Sequence, residues 1–522
     1  MVTDHGISTI YNADQTAVNY EFIPKPVDAR LVLPFSYQLN AYMHQQGHRS
    51  INTHDLEHQI AEFYRGSGLP RAGRSMAQKV KEANEFLTRE IAKSSLVGVG
   101  VSVVYDDSVV MAKGYGSLQA NDSSKAVTSE SLFQIASVSK TMIAIGYLEP
   151  EASLREKYAY SNTNYVILGQ VIEGVSGQPW DRFLKERVWQ PLGMNRTFAS
   201  AEDVPSELYD ELSSGHNDCV DGVTGPFDIL TSPQMQLTPS RKRGLFAAGS
   251  IVSTPSDMTA FMRLLLNKGS VDGVKLFKSA ATIGEMIRGK VPLGVPSEPF
   301  NAVMGFHVNL DGNTLASGYG FDTVGQVMWG RAYFDKGGDS LGHETRTGFV
   351  PAERLGVTMI SNTEFFVFRR GFYLDQLRSY VMGIFLDVPK PILELEYSRW
   401  TRSLPLPPPF PGATPKNFCF GPTPDIPLSA EQQDKLIGSY ESVVAPRFFP
   451  RASITRDSRD NTKLRYSFGV VTGTLSLVAK TDGLWSFLSV GPTTTPISAT
   501  MSGQGAGHFE LDLDFAGAFR KV

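Results

Sequence analysis

Nine prolines lie within the twenty-four residues from Leu404 to Pro427. Each removes a backbone donor and locks φ near about −65°, so neither a helix nor an interior strand can pass through. The stretch reads as an extended linker, assigned to residues 391–428, and compact structure must form separately on either side of it. Before it lie an N-terminal extension, 1–75, and a long unit, 76–390; after it comes a short unit, 429–522. With 522 residues and 41% hydrophobic content, the chain has material for more than one core. The formal net charge of −4 provides no bulk attraction to nucleic acid or to an anionic membrane. Two cysteines, Cys219 and Cys419, are too few for a disulfide framework or a cysteine-based zinc site. The N-terminus lacks a basic start and an apolar stretch, and no run reaches the ~18–20 apolar residues of a membrane span. The expectation is a soluble, cytoplasmic protein.

Hydrophobic spacing organises the long unit. Val80, Ala83, Phe86 and Leu87 lie near one face of a helix predicted over Met76–Ile91. The runs Gly98–Tyr105 and Val109–Gly114, joined by Asp106-Asp107, predict a β-hairpin. Helical patterns dominate to Leu192 and return over Ser256–Asn267. Strands are predicted at Val303–Asn309, Val327–Asp335, Thr347–Val350 and Gly356–Ser361, and a closing helix at Phe366–Phe385. Strands at both ends with helices between make an α+β unit whose sheet draws on both ends of the segment. After the linker, Ser429 caps a short helix. Leu464, Tyr466 and Phe468, and later Leu511, Leu513 and Phe515, then alternate with polar residues, the period of a small antiparallel sheet or barrel.

Ser137-Val138-Ser139-Lys140 gains its interest from context. It follows the strand- or turn-like Phe133-Gln134-Ile135-Ala136 and leads into the apolar helix Thr141–Ile145. Positions i and i+3 share a helix face, so the Lys140 amine can approach the Ser137 hydroxyl. A serine hydroxyl is a poor nucleophile until a base takes its proton, and a lysine held out of water can be that base. Backbone N–H groups at the helix start can help hold the oxyanion that forms. For the tetrapeptide alone, a helix cap with a solvated lysine is the plainer reading. Tyr160-Ser161-Asn162 is a second polar cluster ahead of an apolar helix. A tyrosine can relay a proton, and an asparagine offers a donor and an acceptor together. Alone, it reads first as a polar turn capping a helix.

Taken together, FQIASVSKT (133–141) and YSNTNYVILG (160–169) resemble the serine β-lactamase and penicillin-binding-protein-like superfamily. The likeness is to its class C β-lactamase, D,D-peptidase and esterase branch, peptidase family S12. AKGYG (112–116), RVWQPLGMN (187–195) and AGSIVSTPSD (248–257) agree, and the resemblance covers Met76–Leu386. It implies a β-lactamase/transpeptidase-like α+β domain, an antiparallel sheet plus a helical region, followed by a small all-β barrel-like domain. It also implies roles: Ser137 as nucleophile, Lys140 as base, Tyr160 as proton relay and Asn162 as a substrate contact. The family's third motif, Lys-Thr/Ser-Gly or His-x-Gly, falls on Lys336-Gly337-Gly338. Lys336 and Gly338 would then line the substrate, and Asp339 would supply a second oxyanion N–H. Arg346-Thr347-Gly348 is closer in letters, but its position fits the next strand. Gly337 lacks the hydroxyl that β-lactam and D,D-peptide enzymes of this type turn toward a substrate carboxylate, which favours a less anionic ester or amide. The C-terminal unit resembles the lipocalin-like domain appended to many such hydrolases, with Gly438-Ser439-Tyr440 in its opening strand.

One departure is large. Only 19 residues separate Lys140 from Tyr160, where the family's segment is several times longer and walls the pocket. Either the substrate site is unusually open or the segment is missing through a splicing or gene-model error. His54-Asp55-Leu56-Glu57-His58 fits an H-x-x-E-H zinc pattern, yet its irregular surroundings favour a charged surface helix. No cofactor and no metal are expected. The leading reading is a serine hydrolase or acyltransferase that forms an acyl-enzyme on Ser137 from a small-molecule ester or amide. The alternative is a catalytically weak or inactive binding or scaffold protein. The oligomeric state stays open.

Overall fold

The structure is a computed structural model of the 522-residue chain. It describes residues 8–11, 17–20, 72–145, 162–219, 222–232, 235, 239–241, 246–277, 279, 281–294, 304–306, 315–365, 372–402, 426–443, 451–458, 460, 462–468, 471–481, 484–490, 495–502, 508–513 and 517–522. Tyr160, the His54–His58 pattern and most of the proline-rich stretch lie outside these residues.

Helix α1 (Met76–Lys93) starts at Ser75, whose hydroxyl accepts the Gln78 N–H while the Gln78 side chain accepts the Ser75 N–H. Strands β1 (Gly98–Tyr105) and β2 (Ser108–Gly116) form the expected hairpin. Asp106 and Asp107 turn it with φ of 45° and 65°, left-handed values that short polar side chains tolerate. The helical region holds α2 (Ser139–Ile145), α3 (Asn162–Ser176) and α4 (Pro255–Leu266), the last capped by Thr254, which accepts the Asp257 N–H. The chain returns to the sheet through β3 (Val291–Gly294), β4 (Leu315–Ser317), β5 (Thr323–Met328), β6 (Arg331–Ser340), β7 (His343–Val350) and β8 (Leu355–Ser361). Among the described residues these make one eight-stranded antiparallel sheet, ordered β3-β4-β5-β6-β7-β8-β1-β2. The late strands thus add onto the early hairpin, as an α+β unit with strands at both ends requires.

Two helices follow, α5 (Tyr373–Phe385) and α6 (Lys390–Arg402). They pack with α1 on one face of the sheet, burying Phe86, Val101, Met359, Val381, Leu393 and Trp400 together. The opposite face carries the helical region, with Met142, Phe261, Leu265, Phe349 and Ile360 in a second core. Met359 and Ile360 are neighbours on β8 yet belong to different cores, because successive strand side chains point to opposite faces.

Three expectations change. Val327–Asp335 is not a single strand: Trp329 and Gly330, with φ of 50° and 73°, make a tight turn between β5 and β6. Trp329 takes this unusual place because its ring is buried against Trp400. Of Val303–Asn309 only 304–306 are described, and they hold a turn rather than a strand. The third concerns the linker, because α6 occupies residues assigned to its start at 391. Pro391 sits in the first turn, where its missing N–H has no partner to lose, and Ile392, Leu393, Tyr397 and Trp400 bury the helix.

Beyond the linker, eight strands close into a barrel: β9 (Gly438–Ser442), β10 (Ala452–Arg456), β11 (Leu464–Phe468), β12 (Val471–Thr481), β13 (Leu484–Val490), β14 (Thr495–Ser502), β15 (His508–Leu513) and β16 (Gly517–Lys521). β9 pairs with β16, which leaves no open edge. Tyr440, Ile454, Tyr466, Leu475 and Phe519 form its core.

Candidate active site

Ser137 lies in a short 3-10 turn, Ala136–Val138, that runs directly into α2. Ala136 has φ of 45°, a left-handed value that costs a residue with a Cβ about 1–2 kcal/mol. Its neighbours hold the turn in place. Ile135 N–H donates to Ile251 O at 2.9 Å, and Ile251 N–H donates to Ser139 Oγ at 3.2 Å. One helical turn on, Lys140 Nζ lies 2.6 Å from Ser137 Oγ and donates to Ala248 O at 2.6 Å. Both side chains are fully buried. The ring of Tyr165, on α3, has its centroid 5.6 Å from the same amine. As a neutral amine, Lys140 can give an N–H to Ala248 O and turn its lone pair to the Ser137 hydroxyl.

Tyr165 is a wall of this site rather than a proton donor to it. Burial first, then the Asp322 charge, pushes its phenol well above the ordinary range, so it keeps its proton. Its oxygen accepts the Gly320 N–H at 3.1 Å, and Thr141 Oγ1 donates to Gly320 O at 2.7 Å.

Strand β6 passes in front of Ser137. Its register with β5 ends at Thr323 opposite Asp335, so residues 336–340 have an edge that no described strand pairs. A Cβ at position 338 would fall 2.8 Å from Ser137 N and 2.6 Å from Ile135 O, so the strand comes this close only because Gly338 has no side chain. The carbonyl of Gly338 points toward β7, where it accepts from Arg346 Nη1 at 3.3 Å. A planar trans peptide sets its N–H opposite its C=O, so the Asp339 N–H points to the open edge on the Ser137 side. The Asp339 carboxylate faces the other way and pairs with Arg346. Arg346 Nε in turn donates to Asp375 Oδ2 at 2.6 Å, and Arg378 lies 3.0 Å from Asp375 and 3.4 Å from Asp335.

Lys336 is among the residues that the resemblance places along the substrate. Its ammonium is 1% exposed and sits 2.6 Å from Asp322 Oδ2. Gly337 also reads differently in three dimensions. A Cβ there would lie 3.7 Å from Arg346 Nη1, on the face away from Ser137, so the missing hydroxyl does not by itself open the Ser137 side.

The fold therefore brings Ser137, Lys140, Lys336, Gly338 and the Asp339 peptide together. Asn162 is the half-buried first residue of α3, one turn before Tyr165. Tyr160 lies outside the described residues. Sequence reasoning missed Ala248 and Tyr165, although both fall inside strings that carried the resemblance. It also missed Asp322, which no motif marks. Among the described residues no group of three or more His, Cys, Asp or Glu side chains could hold a metal ion. No described helix is long and apolar enough to cross a membrane.

A family model described as Beta-lactamase matches residues 76–148 and 144–378, more than half of the chain. The protein belongs to this family, within the serine β-lactamase and penicillin-binding-protein superfamily. The two matched segments overlap at residues 144–148, at the C-terminal end of α2. A protein of Escherichia coli O157:H7 described as "Putative D-alanyl-D-alanine carboxypeptidase" is 26% identical over 223 residues, covering 40% of this chain and 45% of that one. A Salmonella gallinarum protein of the same description is 24% identical over 239 residues, covering 43% and 50%. The chain thus spans about half the length of the curated relatives it matches. Among solved structures, the octameric penicillin-binding protein homologue from Pyrococcus abyssi aligns with a TM-score of 0.46 at 16% identity, over 85% of this chain and all of that one. The D-amino acid amidase from Ochrobactrum anthropi SV3, complexed with L-phenylalanine amide, aligns with a TM-score of 0.43 at 19% identity, over 60% and 98%.

Proposed function

We propose that the protein is a serine hydrolase or acyltransferase acting on an ester or amide of a small molecule. The 2.6 Å approach of Lys140 Nζ to Ser137 Oγ, in a fully buried pair, carries the reading. Lys140 takes the Ser137 proton as Oγ bonds to the carbonyl carbon, and the carbonyl electron pair moves onto its oxygen. The N–H groups of Ser137 and Asp339 receive that oxyanion across the gap that Gly338 leaves. Collapse breaks the bond to the leaving group, which takes its proton from Lys140 through Tyr160. Water or another acceptor then attacks the acyl-enzyme, with Lys140 again as base. Asn162 and the Lys336–Asp339 edge contact the substrate. The relatives described as carboxypeptidases support acyl-transfer chemistry of this class. We assign this chemistry to a unit ending at Arg402, with residues 429–522 as a separate lipocalin-like β domain.

A second reading, a binding or scaffold protein with weak or no catalysis, draws on the junction of the two family-model segments at 144–148. There the chain passes from Lys140 to Tyr160 in 19 residues. Intact-mass spectrometry after exposure to a fluorophosphonate and to an activated ester separates the two. One adduct on the wild type, absent from Ser137→Ala, is expected. A folded wild type that takes neither reagent overturns the hydrolase reading in favour of the second.

A further inference from the structure

The charged pair beside the nucleophile presents its negative end outward. Lys336 is 1% exposed, whereas the Asp322 side chain that holds it is 30% exposed. Asp322 Oδ2 takes the Lys336 ammonium at 2.6 Å and the Gly337 N–H at 3.4 Å, which sets the carboxylate along the open edge of β6. Its other oxygen, Oδ1, accepts no hydrogen bond from the described residues. Two residues of extended strand, about 7 Å, separate this edge position from the Asp339 N–H. The same charge reaches Tyr165, whose ring covers Lys140. A buried cation behind a half-exposed anion is a neutral pair in total but an anion to anything approaching along the strand.

We infer that Asp322 is a specificity determinant of the Ser137 site: it accepts an ammonium, or an uncharged hydrogen-bond donor, from the part of the substrate lying along β6, and it repels a carboxylate there. This inference rests on the hydrolase reading and narrows its substrates to cationic or neutral esters and amides. A carboxylate in that position would have to displace Asp322 from Lys336, while an ammonium meets the unused Oδ1.

The test uses the full chain and two series of aryl esters, one varied in the acyl chain and one in the leaving group, each ending in ammonium, methyl or carboxylate. In at least one series kcat/KM for the ammonium ester should exceed that for the carboxylate ester by about tenfold or more at low salt. Asp322→Asn should cut that ratio about tenfold. The double variant Asp322→Asn with Lys336→Met, which leaves no unpaired buried charge, should bring it close to one. A wild type that treats the two alike or prefers the carboxylate overturns the inference, as does a ratio that survives in either folded variant. Should both variants misfold, the wild-type ratio decides. Ser137 labelling without charge preference sinks only the role of Asp322, whereas absence of any Ser137 adduct sinks the hydrolase reading beneath it.

Discussion

Arg346 has its partners on the side of β6 away from Ser137, yet it holds the Gly338–Asp339 peptide proposed to receive the oxyanion. Its Nη1 donates to the Gly338 carbonyl and pairs with the Asp339 carboxylate, so it fixes and polarises the peptide whose N–H points to the open edge of β6. Arg346→Met should lower kcat with little change in KM, and Arg346→Lys, which keeps the cation, should restore part of it. The Met variant also leaves Asp339 and Asp375 without their shared cation, a loss of about 3–5 kcal/mol readable by urea unfolding. His343 gives a pH signature on the same sheet. Burial first, and then the nearby His216, hold its imidazole down at about 4, against 6.5 in the unfolded chain. Between these values the unfolded state binds more protons, so this contribution is full above pH 6.5 and is lost as pH falls toward 4. Asp335 acts with the opposite sign. Burial, opposed by Arg378, pushes it up to about 6, so its ionisation lowers stability as pH rises from 3.8 through that value. Comparison with a variant isolates the histidine: the stability gap between wild type and His343→Gln should shrink by about 3 kcal/mol between pH 7 and pH 4, measured by urea unfolding.

Strand β6 is the element on which the candidate site depends, and among the described residues no strand pairs its edge where it meets the Ser137 turn. Gly338→Ala puts a methyl group 2.8 Å from Ser137 N, in the space an oxyanion would occupy. Fluorophosphonate labelling of Ser137 should slow by about 100-fold or more, while circular dichroism shows the sheet retained. A labelling rate equal to the wild type's would remove the Ser137–Asp339 gap from the mechanism. The elements differ in how far local pattern announces them. The β1–β2 hairpin was legible because β-branched runs flank two aspartates that tolerate left-handed φ. The β5–β6 turn was not, because a tryptophan held in a left-handed turn by burial against Trp400 looks like strand in the one-dimensional pattern. Helix α6 was hidden by the prolines that follow it. Only its contacts with α5 and α1 show that Leu393 and Trp400 belong to the core.

As a whole the chain carries a sheet flanked by two helical layers and, beyond the proline-rich stretch, a closed barrel with a core of its own. A chain ended after Arg402 should unfold cooperatively and still take fluorophosphonate on Ser137, checked by calorimetry and intact mass. A folded truncation that takes none would make the barrel part of the chemical machinery. Ending at Lys390 instead should fail, because it strips Trp400 and Leu393 from the core, at about 2–5 kcal/mol for each large side chain removed. The division at the prolines, the helix and strand periods and the Ser137–Lys140 spacing all follow from chain-local rules, since proline stereochemistry and the 3.6- and 2-residue repeats act within a few residues of each other. Asp322 against Lys336, Arg346 behind the Asp339 peptide and Gly338 against Ser137 follow from no such rule. Each joins groups that sequence holds apart, 201 positions in the last case. Their meeting depends on which strand lies beside which and which face each strand turns inward, and that is set by packing the whole sheet between its helices.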